Sequence, residues 1–392
     1  MPSTLRRDAA EEEHESWFMR GRTAPPEQSA ADFRLRAHAL QRHTGKMRGS
    51  RLVEAPTQSK VSGGWQALGP APLASDASGF GLRDYGWVAG RATSIVVDPE
   101  DVTANTVYVG GAYGGVWRSS NAATPLSSDV VWTPLLDDQP TLSVGSIAIQ
   151  PGNSNVLLVG TGETNSATDS YYGLGMLRSA DGGATWSLIS SSIDGRSFKG
   201  MGFSKIAFSA ENPSIVVGAT GFASRGVSSG LDPGNNRGLY VSSDAGLTWT
   251  FATVKDGGTS ITSSSVTSVV YNSNSKKFIA AIRRHGFYSS SNGFTWTRLT
   301  NQPGIGTGSL SSSACPADAA ANSYGCPIYR GEIAVVPGRD ELYVWFMDLP
   351  GNSLPETDRG VWRSVGGGPW TQISNTGRTS CGDVSGCGAE HA

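Results

Sequence analysis

Three carboxylates and one basic cluster are the residues best able to do chemistry. Asp84 lies in LRDYGWVAGR, Glu163 in GETNSATDSYYG, and Asp348 just ahead of LPGNSLPETDR. Two carboxylates flanking a glycosidic bond, one protonated and one ionised, are the usual apparatus for its hydrolysis. Glu163 with Asp348, or Asp84 with Glu163, would supply such a pair. Arg283-Arg284-His285 adds two cations and an imidazole. A general base needs an orienting partner, and none stands beside His285 in sequence. The same loops hold residues suited to gripping a ligand: Tyr85, Trp87, Arg91, Tyr171, Tyr172, Arg283, Arg284, His285 and Arg330, with Arg237, Tyr329, Glu332, Asp358 and Arg359 nearby. Aromatic faces stack on sugars, and arginines hydrogen-bond hydroxyls and anions. The blander reading is that charged loop residues are simply solvated.

These residues act together only if the chain brings their loops to one surface. A four-part cassette recurs five times. Its first strand reads ATSIVVDP, VGSIAIQP, SKIAFSAENP, VTSVVYNSN and GEIAVVPG; its second includes NTVYVGG, NVLLVGTG and ELYVWFMD. A third strand follows, as in GVWRSS, GMLRSA and GLYVSS, and a fourth opens on Trp132, Trp186, Trp249, Trp296 or Trp370. Short β-branched runs closed by Gly, Asn or Pro are strands. Four per unit of about 40–50 residues predicts an all-β β-propeller with four-stranded antiparallel blades. In such a meander, loops after the second and fourth strands share one face, and every candidate above falls on it. GGWQALGP (residues 63–70) is a lone copy of the fourth strand, without the three before it. The expectation is a ring of six to eight blades of which this chain holds five; a five-bladed ring is the alternative.

The clearest motif sits in the turns between third and fourth strands. SADGGATW (Ser179, Asp181, Gly183, Thr185, Trp186) nearly recurs as SSDAGLTW (Ser242, Asp244, Gly246, Thr248, Trp249). SSSNGFTW is a degenerate copy with Ser291 in the Asp position; the first unit keeps Ser119 and Asn121 before an insertion, and SVGGGPW is one residue short. Ser-x-Asp-x-Gly-x-Thr-Trp resembles the Asp-box, or BNR repeat, of the sialidase-like propellers, which include sialidases, oligoxyloglucan-type glycoside hydrolases and sortilin-type receptors. The resemblance covers about Trp65 to Ile373 and implies a structural box, on the face away from any ligand. One carboxylate per loop is too few for calcium, which takes six to eight oxygens. Two catalytic patterns are broken: the Arg-Ile-Pro that opens a sialidase's first blade reads Arg91-Ala92-Thr93, and Ala112 stands where oligoxyloglucan-type enzymes carry an Asp. The reading is a non-catalytic module for a glycan or an extracellular protein ligand. The alternatives are a glycoside hydrolase using the same loops and an assembly factor.

Composition bounds the rest. A net charge of -2 with only 16% charged residues argues against nucleic acid, which calls for an extended basic surface. No apolar run reaches the ~18 residues of a membrane span. No cofactor or metal is expected, and the oligomeric state stays open. Residues 1–61 form a separate segment: EQSAADFRLRAHALQRH is helix-prone with Phe33, Ala37 and Leu40 on one face, and Gly45–Ser62 reads as a linker. The start of the sequence lacks a secretory signal, whereas the family resemblance implies an extracytoplasmic protein. Cys315 with Cys326 and Cys381 with Cys387 are spaced for two local disulfides or for free thiols, with zinc disfavoured. Residues 375–392 read as the start of a further blade.

Overall fold

Short runs of β-branched and aromatic residues, each closed by Gly, Asn or Pro, become strands and little else. The computed structural model of the chain describes residues 29–49, 73–74, 87–88, 90–126, 129–165, 170–222, 236–256, 259–261, 263–305, 315, 326–348 and 357–374. Five antiparallel sheets follow one another as β-propeller blades, each laid down strand by strand from the inside outwards. The first consists of Ala92–Val97, Val107–Gly111, Gly115–Ser119 and Thr133–Pro134. The second is Val144–Gln150, Asn153–Thr161, Met176–Ser179 and Ser187–Ile189; the third is Met201–Phe208, Val216–Phe222, Leu239–Ser242 and Thr250–Phe251. The fourth contains Val266–Asn272, Lys277–Ile282, Gly286–Ser290 and Thr295–Arg298, and the fifth Ile328–Val335, Glu341–Asp348, Thr357–Val365 and Thr371–Gln372. All five cassettes thus fold in the order read from the sequence. The fourth sheet differs: a hairpin of Thr253–Asp256 and Thr259–Ile261 joins its outer edge, with Thr253–Asp256 pairing in parallel with Thr295–Arg298.

The innermost strands pack against one another in sequence, and one device recurs at each seam. Every inner strand breaks register near its start, at Thr93, Gly145, Ser204, Thr267 and Tyr329, and Val144–Gln150 does so again at its far end. A bulge turns its extra residue out of the ladder and re-aims its side chain. Thr93 Oγ1 donates to Val144 O on the next blade (2.7 Å), Ser204 Oγ to Val266 O (2.6 Å) and Thr267 Oγ1 to Gly331 O (2.8 Å). The returning bonds run from Ile147 N–H to Ser94 Oγ, Ile206 N–H to Ser146 Oγ and Ile333 N–H to Ser268 Oγ, at 3.1, 3.1 and 3.3 Å. At Gly145 no side chain fits, because a Cβ would stand 2.1 Å from Phe203 O. Each such bond is worth about 0.5–1.5 kcal/mol net, and a buried partner left unmatched costs about 1–3 kcal/mol.

Behind the seams, large side chains fill the space between blades. Trp249 and Trp296 are fully buried, and Trp249 packs with Leu158 and Ala148 of the preceding blade. The turns that lead into Trp186 and Trp249 are held by their own side chains. Asp181 Oδ1 accepts from Ser179 Oγ (2.7 Å) and Thr185 N–H (2.8 Å), while Oδ2 accepts from Thr185 Oγ1 (2.6 Å). Asp244 repeats this with Ser242 and Thr248. Gly183 and Gly246 take φ of 92° and 84°, open to glycine at little cost. The Thr185 hydroxyl, then its amide, then Ser179 hold the Asp181 carboxyl down at about 2. Burial raises that of Asp244, but Thr248 and Ser242 outweigh it and leave it below the ordinary range.

One expectation is corrected in the fourth sheet. Asn292, not Ser291, fills the Asp position: its Oδ1 accepts from Ser290 Oγ, Phe294 N–H and Thr295 N–H at 3.1, 2.9 and 3.0 Å. The loop is one residue shorter than the Asp copies, so the amide oxygen reaches the same donors. Asn121 does likewise in the first sheet, accepting from Ser119 Oγ and, across the insertion, from Val131 N–H. The fifth turn lacks such an acceptor, and Ser364 Oγ donates to Gly368 O instead.

Among the described residues one helix, α1 (Ala30–Gly49), lies on the loops of the second blade and runs into the stretch read as linker. Ser29 caps it by accepting from Asp32 N–H at 3.3 Å. Ala31 and Leu35 pack on Tyr172 and Leu174, while Phe33, Ala37 and Leu40, the face marked in the sequence, point to solvent. Cys315 and Cys326 form a disulfide. The lone Trp65 strand, Cys381, Cys387 and residues 375–392 lie outside the described residues, and no described helix is long and apolar enough to cross a membrane.

The turn chemistry fixes an order of effects. Trp249→Ala should cost about 3–5 kcal/mol in urea unfolding. Asp244→Asn should lower the melting temperature less than Asp244→Ala, because an amide oxygen already serves at Asn121 and Asn292. Equal melting of the two Asp244 variants would contradict the acceptor role. Both Asp carboxyls lie below their ordinary value, so their contribution is complete above the usual carboxylate range and is lost as pH falls through it.

Candidate functional site

The bulged ends of the inner strands line a small cleft of about 110 Å³ that opens to solvent. Thr93, Ser204 and Thr267 line it with hydroxyls, Thr164 and Asn165 come from the loop after the second blade's second strand, and Glu163, Lys205, Arg330 and Glu332 bring charge. Glu163 is 1% exposed; its Oε1 takes Arg91 Nη2 at 2.8 Å, and its Oε2 has no partner. Burying a carboxylate is costly unless it is paired, and Arg91 supplies the pair from the strand-to-strand connection that enters the first blade. Two links cross the cavity. Arg330 Nη2 donates to Asn165 Oδ1 (2.7 Å), joining fifth and second blades, and Lys205 Nζ stands 3.8 Å from Glu332 Oε2, joining third and fifth.

Asp348 ends the second strand of the fifth sheet with no exposed surface, its Oδ2 taking Arg359 Nη2 at 2.8 Å and its Oδ1 unpartnered. It is not among the cavity residues, so the carboxylate that shares the cavity with Glu163 is Glu332. Asp84 and Tyr85 lie outside the described residues, as does the side chain of Trp87, whose backbone pairs with Leu73–Ala74 in a small sheet.

Tyr171 and Tyr172 stand beneath α1. Arg34 lies 4.5 Å over the Tyr171 ring and donates to its hydroxyl at 2.5 Å, while Lys199 pairs with Asp32 at 2.7 Å. Tyr172 is buried, and that burial pushes its phenol up to about 12. Tyr113, edge-on to Tyr171 at 5.6 Å and partly exposed, is an accessible ring on this side.

Arg283-Arg284-His285 forms the tight turn between second and third strands of the fourth sheet. Arg284 takes φ of 66°, uncommon for a residue with a Cβ, and is fastened on both sides: its N–H donates to Ile328 O, and Cys326 N–H donates to its carbonyl. The disulfide therefore anchors this turn. Arg284 and His285 are wall rather than surface. Burial first, then the charge of Arg298, pushes the His285 imidazole down to about 4, so it is neutral near pH 7. Arg283 lies 4.2 Å over the Tyr329 ring and donates to its hydroxyl at 3.3 Å.

Sequence reasoning brought Glu163, Arg91 and Arg330 to one face and missed Lys205, Thr93, Ser204, Thr267 and Tyr113. The signal for the hydroxyl residues was their shared place near the start of each first strand.

No family model matches the chain, and no curated protein does. Among solved structures the chain is similar to an ancestral GH74 enzyme at 22% identity and a TM-score of 0.48, over 80% of this chain and 32% of that one. It is also similar to a GH74 enzyme of Niastella koreensis at 21% identity and a TM-score of 0.46, over 74% of this chain and 38% of that one. The chain thus spans well under half the length of either. Activity does not follow from a shared fold.

The buried imidazole carries a pH signature. With His285 held below its ordinary value, stability is complete above about pH 6.5 and is lost as pH falls towards 4, up to about 2 kcal/mol between pH 7 and 5. Urea unfolding at the two pH values should show that loss in the parent and a flatter response in His285→Gln. Equal slopes would remove His285 as the cause.

Proposed function

We propose that this face binds a glycan at the inter-blade cavity without cleaving it. The observation that carries the reading is that each carboxylate at or behind the cavity is matched to a cation: Glu163 to Arg91, Glu332 to Lys205 and Asp348 to Arg359. A hydrolase needs one carboxyl that gives up a proton and another that meets the sugar or a water. Carboxylates committed to cations serve better as acceptors for hydroxyls. Sugar hydroxyls both donate and accept, which suits a wall of Thr93, Ser204, Thr267, Asn165, Arg330 and Glu332. We read the two Ser-x-Asp-x-Gly-x-Thr-Trp turns as Asp-boxes and the chain as a sialidase-like propeller; the shared hydrogen-bond scheme of Asp181 and Asp244 supports both.

A second reading, glycoside hydrolysis, is favoured by one observation: Glu163 and Glu332 share the cavity, and Glu163 Oε2 is unpartnered. One experiment separates the two. The protein is applied to a glycan array and the retained glycans are assayed for released sugar, alongside Arg330→Ala, Glu163→Gln and Glu332→Gln. The expected result is retention without release, weakened at least about tenfold by Arg330→Ala, the loss of one charge-assisted hydrogen bond. Sugar release that disappears in a folded Glu163→Gln or Glu332→Gln protein would replace binding by hydrolysis. Neither retention nor release would sink both readings.

A further inference from the structure

Between the fourth and fifth blades the chain gathers guanidinium groups, three of which meet no carboxylate among the described residues. Arg283 lies over Tyr329, with Arg284 5.5 Å from the same ring, and Arg330 follows Tyr329 in sequence. Arg237 joins from the third blade, packed 5.7 Å from Phe222. Arg237 and Arg283 flank one short segment, since Ser264 N–H donates to Arg237 O and Ser264 Oγ to Arg283 O. The groups that hold three of these cations are neutral: Phe222 for Arg237, Tyr329 for Arg283 and the Asn165 amide for Arg330. Among the described residues, none of the three forms an ion pair. The Nε atoms of Arg237 and Arg283 are buried without a hydrogen-bond partner. Gathering like charges beside buried unpaired donors is unfavourable, and such a cluster persists where a counter-charge completes it.

We propose that Arg237, Arg283 and Arg330 form a binding site for a phosphate group, either free or as a phosphate ester on a larger ligand. The charge count selects the class. A carboxylate brings one charge and two oxygens and would leave much of the cluster unmatched. A phosphate monoester brings about -1.5 to -2 at pH 7 and three acceptor oxygens, one for each guanidinium. The direction in which the site displaces Arg283 agrees: burial first, and then the charges of Arg330, Arg237 and Arg284, lower its proton affinity, while Tyr329 acts the other way. The site shares Arg330 with the glycan cavity, but its test is separate, since inorganic phosphate carries no sugar and Arg237 and Arg283 do not line that cavity.

The test is thermal unfolding of the full chain with inorganic phosphate, glucose 6-phosphate, sulfate or acetate at matched ionic strength, because a ligand bound only to the folded state raises the melting temperature. Phosphate should raise it; sulfate, a dianion of the same shape, should raise it comparably, and acetate should leave it unchanged. Arg237→Gln, Arg283→Gln and Arg330→Gln should each weaken phosphate at least about tenfold, as loss of one charge-assisted bond requires. Arg118→Gln on the first blade should respond like the parent. A larger rise with glucose 6-phosphate than with phosphate assigns the site to an ester; the reverse assigns it to the free ion. If Arg283→Gln does not fold, Arg237→Gln and Arg330→Gln decide the matter. No rise with phosphate, an equal rise with acetate, or a rise that survives in the folded variants would overturn the proposal.

Discussion

A hydroxyl group mounted on a β-bulge is what the first, third and fourth blades use to hold the next. A regular inner strand would spend its polar groups within its own sheet and leave only apolar side chains to meet its neighbour. The bulge turns one residue out of the ladder, and Thr93, Ser204 or Thr267 then bonds to a main-chain carbonyl of the adjoining blade. The bond is directional, so it fixes how far each blade advances along the axis as well as how close it lies. The residues that fasten the seams also line the cavity, as does Gly145 at the one seam too tight for a side chain. Ring assembly and the shape of the candidate site therefore share one set of residues. At the fifth bulge the pattern changes to Tyr329, and there the arginines collect.

The carboxylates divide by face. Asp181 and Asp244 satisfy the donors of their own turns and are kept ionised by them, which makes them local fasteners. Glu163 and Asp348 are buried at the opposite ends of the strands and draw their partners from other parts of the chain. The first kind tolerates an amide, as Asn121 and Asn292 demonstrate. The second kind depends on charge, because an arginine is already in place to meet it.

Much of the fold was legible in the sequence because each blade repeats local rules: alternating or β-branched runs, a Gly, Asn or Pro stop, and a Trp after each third turn. What escaped depends on distance. The Thr253–Ile261 hairpin is too short and polar to announce itself, and its parallel pairing is made with a strand some forty residues on (Thr253 with Thr295). The substitution of Asn292 for Asp was hidden by a one-residue shortening that shifts the alignment. Tyr172, Arg284 and His285 look like Tyr113 and Arg330 in a loop sequence; burial beneath a helix or behind a disulfide separates them, and neither is a local property. The face of the site was readable from strand order. Its pairings, Arg91 with Glu163 and Arg330 with Asn165, join blades and were not.

The extra hairpin changes how load is carried. Elsewhere in the described chain, a blade is laced to the next along its inner strand and, farther out, by single bonds such as Ile193 N–H to Trp249 O and Trp370 Nε1 to Asn301 O. After Thr250–Phe251 the chain crosses to the outside of the fourth sheet, where Thr253 N–H donates to Phe294 O and Val254 and Ile261 are buried beside Trp296. The third and fourth blades are thereby tied at hub and rim. A strip hinged at both edges resists bending as well as separation, so these two blades make up the stiffest sector of the arc. Any opening of the propeller would run along the seams on either side, where isolated outer bonds replace a paired strand, and one of these borders the arginine cluster.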